Sequence, residues 1–453
     1  MTGLNKVFVA NRGEIAVRVI DACDRLGIET VLGVSAADRD TLGARRAGRA
    51  FCIGPAAATG SYLNPQAIVA AALGTGCDAV HPGYGFLAER AAFQRLCTEH
   101  GLVFVGPSAD AIEAMGDKLH SRALAAEAGV PVLTGSVSVR SAAHATELAA
   151  DVGYPFLFKA SAGGGGRGMR VVAEPDQVAR AYDSATAEAE KAFGDGTAYL
   201  ERYLDRARHV EIQVLGDGSG KAIHLGEREC SVQRRHQKLV EEAPSPIVDA
   251  ATRAAMADAA VNLAAHVHYL GAGTVEFVVD ERSGEFFFLE MNTRIQVEHP
   301  VTEMVTGVDL VAEQLKLAAG EPLLPQEDVT TTGHAIEFRV NAEDPARGFL
   351  PAPGTLDRWS PPAGTGIRVD THCYPGYTVP PYYDSLLAKL IVHGPDRATA
   401  IDRAAAALDD FTVDGVRTTL PFHQALLTEP AFLDDGVHTG WVDENADKWS
   451  ALV

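Results

Sequence analysis

The sequence predicts an α/β and α+β protein in three parts: an N-terminal doubly wound parallel sheet, a central α+β domain and a smaller C-terminal α+β domain. Within residues 1–114, short apolar segments alternate with segments of helical spacing. Within 115–333, apolar strands follow one another with tight turns between them. From 334 to 453, proline and glycine accumulate before one last helical segment.

The first part alternates strands and helices in chain order. "KVFVAN" (6–11) reads as a strand, "GEIAVRVIDACDRLG" (13–27) as a helix that ends at a glycine, and "ETVLGVS" (29–35) as a second strand. "DAVHPGYGFLAE" (78–89) and "GLVFVGPS" (101–108) continue the alternation. Such alternation is typical of a parallel sheet with helical crossovers.

The second part begins with a helix that closes at Gly129 and then changes to strands. Its apolar segments predict an antiparallel or mixed sheet. In the third part, the only long helical pattern is "DRATAIDRAAAALDDF" (396–411). The strands expected in the second part are 154–161, 169–174, 197–204, 209–217, 221–233, 272–280 and 285–292.

Composition excludes several classes of function. The chain has 453 residues and a formal charge of −21 at pH 7, which argues against a nucleic-acid partner because phosphates would be repelled. Its apolar runs are too short to cross a membrane, and we expect no signal peptide at the N-terminus. Six scattered cysteines without a CxxC pair indicate reduced thiols in a cytoplasmic protein.

"KASAGGGGRGMR" (159–170) is the first segment that suggests a ligand. It fits G-x-G-x-x-G, but a strand follows where the dinucleotide fingerprint requires a helix, so that reading fails. A glycine-rich hairpin remains, which either folds over phosphates or lies at the surface without a ligand. Lys159 ends an apolar strand, and a buried ammonium group favours an anionic partner.

"TVEFVVDERSGEFFFLEMN" predicts two strands around a turn at Arg282–Gly284. With a three-residue loop, Glu276 and Glu290 lie opposite each other. Paired carboxylates repel unless a cation joins them, and Mg²⁺ prefers such oxygen ligands. The alternative is a pair of glutamates that face solvent.

"LEMNTRIQVEHP" (289–300) alternates polar and apolar residues. If it stays extended, one face carries a metal-ligand pair, a guanidinium, an amide and a carboxylate that could act as a base. The alternative is an amphipathic strand with its polar side in water. The polar residues are Glu290, Asn292, Arg294, Gln296 and Glu298.

Several motifs together resemble those of biotin carboxylase, the ATP-grasp component of biotin-dependent acyl-CoA and pyruvate carboxylases. The resemblance covers essentially the whole chain, and "EMNTRIQVEHP" is its most specific string. The other motifs are "ANRGEIAVR", "HPGYGFLAE", "GDK", "KASAGGGGRGMRVV", "RHVEIQVLGD", "QRRHQKLVEEAPSP" and "PPYYDSLLAKL".

The resemblance implies an ATP-grasp domain over 115–333 with a mobile glycine-rich lid at about 132–204. It implies flanking N-terminal and C-terminal biotin carboxylase domains at 1–114 and 334–453. It also implies that ATP lies under the lid. The expected ATP-binding residues are Lys118, Lys159, Gly165, Gly166, Glu201, Tyr203, Leu204, His209, Gln233, His236, Glu276 and Glu290.

The resemblance assigns the remaining polar residues to the other substrates. Glu276, Glu290 and Asn292 match ligands of Mg²⁺ or Mn²⁺. Glu298 matches the general base, and Arg339 matches the arginine at the biotin ureido oxygen. The residues matching the bicarbonate and biotin sites are Lys238, Arg294, Gln296, the Val297 backbone, Arg339 and, at the biotin entrance, Tyr84.

The implied reaction is the first half-reaction of an acyl-CoA carboxylase. Bicarbonate would attack the γ-phosphate of ATP to give carboxyphosphate, which releases CO₂ for transfer to biotin. No "AMKM"-type string occurs, so we expect biotin to arrive on a separate carrier protein and a carboxyltransferase subunit to be separate as well. The alternative is a longer parent chain that carries biotin itself and of which these residues are one part. A homodimer is also implied.

Two alternatives stay open at this point. Another ATP-grasp ligase would share the lysines, the hairpin and the paired carboxylates, but not the combination of Arg294, Gln296, Glu298 and Arg339. A non-catalytic ATP-binding subunit would be expected to lack one of these side chains, and the sequence retains all of them.

Overall fold

The computed structural model describes residues 3–161 and 169–452. The lid glycines Gly165 and Gly166 therefore lie outside the described residues. Among the residues described, no helix combines the length and the apolar composition that crossing a membrane requires.

The N-terminal part is a five-stranded parallel sheet with strand order β3-β2-β1-β4-β5. Its strands are β1 (Lys6–Val9), β2 (Glu29–Ser35), β3 (Arg49–Gly54), β4 (Ala79–His81) and β5 (Val103–Phe104). Its helices are α1 (Gly13–Leu26), α2 (Leu42–Arg46), α3 (Pro65–Gly74), α4 (Ala91–Glu99) and α5 (Ala109–Gly116).

Both faces of this sheet are covered, as the apolar run of β1 requires. Val7 and Val9 belong to one buried cluster, which contains Ile15 of α1. Phe8 points the other way, into a cluster with Ile68 of α3. The prediction of a doubly wound parallel sheet is confirmed.

The segment predicted to be a lid, residues 132–204 and called the lid segment below, contains in its described residues a small antiparallel sheet with order β7-β6-β8. Phe156, Phe158 and Leu200 are fully buried in a core of its own. The elements of this region are α6 (Lys118–Glu127), which precedes the lid, α7 (Ala142–Val152), β6 (Phe156–Ala160), β7 (Arg170–Val172), α8 (Val178–Phe193) and β8 (Ala198–Arg202).

The remaining strands are numbered on in chain order. They are β9 (Ala207–Asp217), β10 (Ala222–Arg234), β11 (Gln237–Ala243), β12 (Leu270–Asp280), β13 (Phe286–Asn292), β14 (His334–Asn341), β15 (Glu343–Asp344), β16 (Leu350–Pro351), β17 (Gly354–Thr355), β18 (Arg358–Ser360), β19 (Ile367–Thr371), β20 (Thr378–Val379), β21 (Leu386–Gly394) and β22 (Thr412–Asp414).

The remaining helices pack on these strands. They are α9 (Ala250–His266), α10 (His299–Thr306), α11 (Leu310–Ala318), α12 (Arg397–Asp410), α13 (Leu420–Leu426), α14 (Pro430–Leu433), α15 (Trp441–Glu444) and α16 (Ala446–Trp449). The long helix expected near the C-terminus is α12.

An eight-stranded antiparallel sheet forms the centre of the molecule, with order β13-β12-β9-β10-β11-β14-β21-β19. It is continuous across residue 333, because β11 pairs with β14 with Val240 opposite Phe338. The same sheet therefore contributes to the second and the third predicted domains. The boundaries drawn at 114 and 333 stay a prediction.

One expectation is wrong beyond Asn292. The strand β13 ends there, and the chain turns through residues 293–298 before α10 begins at His299. Pro300 lies in the first turn of α10, where its fixed φ favours the start of a helix and its missing N–H costs nothing. The five polar side chains consequently do not share one face of an extended strand.

Candidate active site

A cavity of about 610 Å³ lies between the N-terminal sheet, the central sheet and the start of α10. Most of the residues selected from the sequence line it, although they come from distant parts of the chain. They are Tyr84, His209, His236, Lys238, Glu276, Glu290, Asn292, Arg294, Gln296, Val297, Glu298 and Arg339.

Three carboxylates form a row across neighbouring strands. Glu276 of β12 lies opposite Glu290 of β13 and, on its other side, opposite Glu211 of β9. The predicted pairing of Glu276 with Glu290 is confirmed. Like charges at facing positions repel, so this row requires cations beside it.

Lys238 supplies one such cation. Its Nζ donates to Glu211 at 2.6 Å, to Glu276 at 3.0 Å and to Glu298 at 2.5 Å. Burial opposes the ammonium charge, but the surrounding acidic groups outweigh burial and raise the pKa of Lys238. A charged Lys238 therefore joins the carboxylate row to Glu298.

Glu276 is the most heavily bonded member of the row. Its Oε1 also accepts from Asn292 at 2.9 Å and from Gln296 at 3.0 Å, and its Oε2 lies 2.9 Å from His209 Nε2. Burial alone would raise the pKa of Glu276, but Lys238 and His209 hold it well below its usual range. Glu276 is thus ionised, and its carboxylate oxygens are of the kind that a metal ion binds.

The donor set fits a hard divalent cation. Glu276 and Glu290 are cross-strand neighbours on β12 and β13, and both line the cavity together with Asn292. Glu290 is about one-third exposed and has only Lys118, at 3.8 Å, as an ionic partner among the described residues. Carboxylate and amide oxygens are the ligands that Mg²⁺ accepts.

Glu298 is fully buried between two cations. Its Oε1 accepts from Lys238, and its Oε2 accepts from Arg339 Nη2 at 3.0 Å. Burial would raise the pKa of Glu298, but Lys238 and Arg339 lower it below the ordinary value. Arg339 also donates from Nε to Glu241 at 2.7 Å, and burial raises the pKa of that carboxyl to about 7.

Three side-chain hydrogen bonds fix the guanidinium of Arg294, which is called the Arg294 fork below. Its Nε donates to Glu89 at 2.9 Å, its Nη1 to Gln296 at 2.9 Å and its Nη2 to Asn292 at 3.0 Å. These bonds bring residues 292, 294 and 296 together although the chain between them is not a strand. A guanidinium fixed in this way presents a planar cation to an anion in the cavity.

The two predicted phosphate lysines lie on the lid side of the carboxylates. Lys159 Nζ donates to Glu201 at 2.8 Å, and Arg122 donates to the same carboxylate at 3.0 Å. Burial opposes the charge on Lys159, but Glu201 more than offsets it, so the pKa of Lys159 is raised. Burial lowers the pKa of Lys118, which an added anion would reverse.

Six predicted nucleotide residues among those described do not line this cavity: Lys118, Lys159 and Glu201, whose contacts are given above, and Tyr203, Leu204 and Gln233. Tyr203 and Leu204 line a separate cleft of about 500 Å³ with Arg202, at the junction of the lid and the central sheet. Gln233 lies behind His209, with its Nε2 3.5 Å from His209 Nδ1. Their roles stay predictions.

Sequence reasoning missed several residues of the site. Glu211 and the fully buried Arg228, whose Nε lies 2.5 Å from it, form an ion pair below the cavity, and Glu241 partners Arg339. Glu89 holds Arg294 and also accepts from the Thr293 N–H at 3.1 Å. A signal existed for Glu211, because it alternates with apolar residues on β9 in the same way as His209 does.

Comparison with known proteins identifies the family. The family model of the biotin carboxylase N-terminal domain matches residues 3–112, and that of the biotin carboxylase C-terminal domain matches residues 337–444. The ATP-binding domain of the carbamoyl-phosphate synthase L chain matches residues 117–326. A biotin carboxylase of Nostoc sp. is 52% identical over 97% of this chain and 99% of its own. The chain belongs to the biotin carboxylase family.

Solved structures of biotin carboxylases have the same fold. A biotin carboxylase–β-γ-ATP complex from Campylobacter jejuni superposes with a TM-score of 0.95 at 45% identity, covering 98% of this chain and 99% of that one. The biotin carboxylase domain dimer of Hydrogenobacter thermophilus 2-oxoglutarate carboxylase, with MgADP, ADP and bicarbonate, gives 0.95 at 47% identity and covers 99% of both chains. The predicted family and fold class are confirmed.

Proposed function

We propose that this biotin carboxylase uses ATP and bicarbonate to carboxylate biotin carried on a separate protein. One observation supports this proposal above all: Glu298 lies between Lys238 and Arg339, in the same cavity as the Arg294 fork and the Glu276–Glu290 pair. This arrangement offers a base, an anion site and a metal site side by side. A relative solved with MgADP and bicarbonate contains the ligands that these three sites would hold.

Bicarbonate is a poor electrophile and needs activation. In our proposal Glu298 takes the proton of bicarbonate while an oxygen of bicarbonate attacks the γ-phosphate, and ADP leaves with the electrons of the broken P–O bond. Lys118 and Lys159 neutralise charge that develops on the phosphates. A Mg²⁺ held by Glu276, Glu290 and Asn292 would supply Lewis-acid stabilisation of the phosphate oxygens.

The pKa of Glu298 is low while Lys238 and Arg339 are its partners, which makes it a weak base at rest. An anion that takes over donors of Lys238 or Arg339 removes positive charge from Glu298 and raises its pKa. Substrate binding thereby prepares the base at the moment when it is needed.

The second step transfers the carboxyl group. Carboxyphosphate breaks down to CO₂ and phosphate, phosphate takes the ureido proton of biotin, and the ureido nitrogen attacks CO₂. Arg339 stabilises the negative charge on the ureido oxygen. Tyr84, whose hydroxyl donates to Glu14, lines the same cavity and would border the biotin ring.

Partners and location complete the proposal. We expect a biotin carboxyl carrier protein, a carboxyltransferase subunit that selects the final acceptor, and a homodimer of this chain. We also propose a cytoplasmic location, because all six cysteines lie within the described residues and none forms a disulfide there.

The test is bicarbonate-dependent cleavage of ATP by the purified chain, with and without free biotin. We expect slow ADP release that requires bicarbonate and accelerates with biotin. Glu298→Gln should bind ATP as the wild type does and lose turnover by about 10²–10⁴-fold, the usual contribution of a general base. Glu327→Gln, at an exposed position outside the cavity lining, is the matched control.

Two results would contradict the proposal. ADP release that ignores both bicarbonate and biotin would indicate a different acceptor, such as the amine of another ATP-grasp ligase. Full activity of Glu298→Gln would remove Glu298 from the role of base.

A further inference from the structure

The turn between β13 and α10 has two backbone carbonyls that are held by buried side chains. His299 Nδ1 lies 2.7 Å from the Gln296 carbonyl oxygen. Lys389 Nζ donates to the next carbonyl, that of Val297, at 2.9 Å. Both side chains are fully buried, and neither lines the cavity.

The protonation of His299 follows from its partner. A carbonyl oxygen only accepts hydrogen bonds, so the proton of the ring must be on Nδ1. Burial, followed by the nearby positive charge of Lys389, holds the pKa of His299 well below its ordinary value, so the ring is neutral. Its Nε2 is 4.0 Å from Glu303 and accepts no bond from a described residue.

The Gln296 carbonyl determines where the Val297 N–H points. The peptide bond between residues 296 and 297 is trans, so its C=O and N–H point in opposite directions. With the carbonyl turned toward His299, the N–H of Val297 points away from the buried side of the turn. It donates to no group within 3–161 or 169–452, and Val297 lines the cavity.

Lys389 fixes the following peptide. It lies on β21, and its ammonium group is 3.2 Å from Glu14 of α1 and 3.8 Å from Asp370 of β19. The Val297 carbonyl is therefore tied to an ion pair that joins the N-terminal helix to the C-terminal strands. This peptide leads directly into Glu298.

We propose that His299 and Lys389 are positioning residues, which fix the Gln296–Glu298 backbone so that the Val297 N–H faces the bicarbonate and Glu298 faces its proton. The inference rests on the proposed function for the identity of the anion. Neither residue touches a substrate; each acts through a carbonyl.

A matched pair of variants tests the His299 part. In His299→Asn the side-chain amide nitrogen stands where Nδ1 stood, whereas in His299→Gln it stands near the position of Nε2. We expect His299→Gln to raise KM for bicarbonate about tenfold, the loss of one charge-assisted hydrogen bond, with KM for ATP within about twofold. His299→Asn should stay within about threefold of the wild type in both constants.

Lys389 has to be tested in a variant that lacks the charge of Glu14, because removing Lys389 alone would leave the buried Glu14 carboxylate without its ion-pair partner. The comparison is Glu14→Gln against the double variant Glu14→Gln with Lys389→Met. The double variant alone loses the bond to the Val297 carbonyl, so its KM for bicarbonate should exceed that of Glu14→Gln by about fivefold or more. Equal constants for the two variants would remove Lys389 from the proposal.

Crystal structures of the two His299 variants give a readout that does not depend on turnover. The Gln296–Val297 peptide should keep its orientation in His299→Asn and rotate in His299→Gln. An unmoved peptide in His299→Gln, or equal bicarbonate constants for both variants, would overturn the positioning role. A wild-type chain without bicarbonate-dependent turnover would overturn the proposed function instead, and the crystallographic result would still decide the positioning role.

Discussion

Single residues in this site share partners rather than pairing one to one. Lys238 serves three carboxylates, and Glu276 accepts from an ammonium and two amides. Such sharing keeps buried charges compensated before substrates arrive, which buried ions require. A substrate that enters the cavity then replaces some of these ion-pair and hydrogen-bond partners.

The role of Glu89 can be tested separately from those of the other site residues. Glu89 contacts Arg294, and it is not among the residues predicted from the sequence to bind a substrate. We expect Glu89→Gln to lower kcat/KM for bicarbonate about tenfold, since one of its two contacts would place an amide N–H against a donor. Folding and ATP binding should be retained. Steady-state kinetics with bicarbonate as the varied substrate provides the measurement.

Glu99→Gln, at the exposed end of α4, is the matched control for this change and should behave as the wild type. Wild-type kinetics in Glu89→Gln would show that Arg294 keeps its position without this carboxylate.

At the scale of elements, the sequence predicts most strands of the two sheets, because each is an apolar run bounded by turn residues. The Glu276–Glu290 pairing is predicted from a three-residue loop, but the hairpin reaches it differently: Phe277 pairs with Phe288, and a β-bulge between Glu276 and Phe277 then brings the two glutamates opposite each other. The turn after Asn292 is not predictable, because it depends on Arg294 bonding to Asn292, Gln296 and the distant Glu89. Pro300 was the one local signal of the helix that follows.

The lid segment has a core of its own and should therefore unfold separately from the central sheet. Phe158 is fully buried there, edge-to-face with Phe156 at 5.3 Å between ring centroids. Phe158→Ala should destabilise the lid by about 3–5 kcal/mol through the cavity that it creates. Hydrogen exchange measured peptide by peptide should accelerate in β6, β7 and β8 only.

Val171→Ala is the control in the same small sheet, because Val171 is half exposed and its loss creates no cavity. If exchange accelerated equally in β9 to β14 of Phe158→Ala, the lid and the central sheet would unfold as one unit.

At the scale of the whole molecule, buried neutral histidines predict sensitivity to acid. Burial lowers the pKa of His81 to about 3, of His372 to about 3 and of His423 to about 4, from an ordinary value of 6.5. At a pH between the lowered pKa of each histidine and 6.5, the unfolded chain binds more protons than the folded protein. The free energy of unfolding therefore falls as pH drops below 6.5. Each histidine contributes about 1.4 kcal/mol per pH unit in that window.

Thermal unfolding from pH 7 to pH 5 measures this effect. His299 adds to this effect, whereas Glu241, with its pKa raised to about 7, opposes it. The Tm should fall below pH 6.5, and His423→Gln should make the pH dependence of the unfolding free energy shallower by up to about 1.4 kcal/mol per pH unit. His100→Gln, at an exposed position, should keep the wild-type slope. A Tm that does not change over this range would contradict the assignment of these histidines as neutral.

The continuous sheet across residue 333 has a consequence for recombination between relatives. Lys238 lies on β11 and Arg339 on the adjacent β14, so the backbone ladder that joins these strands also sets the spacing of the two cations that hold Glu298. A chimera that takes residues 334–453 from another family member takes Arg339, one of the two cations that contact Glu298, together with the packing of β14. Its crossover therefore tests chemical compatibility as much as folding.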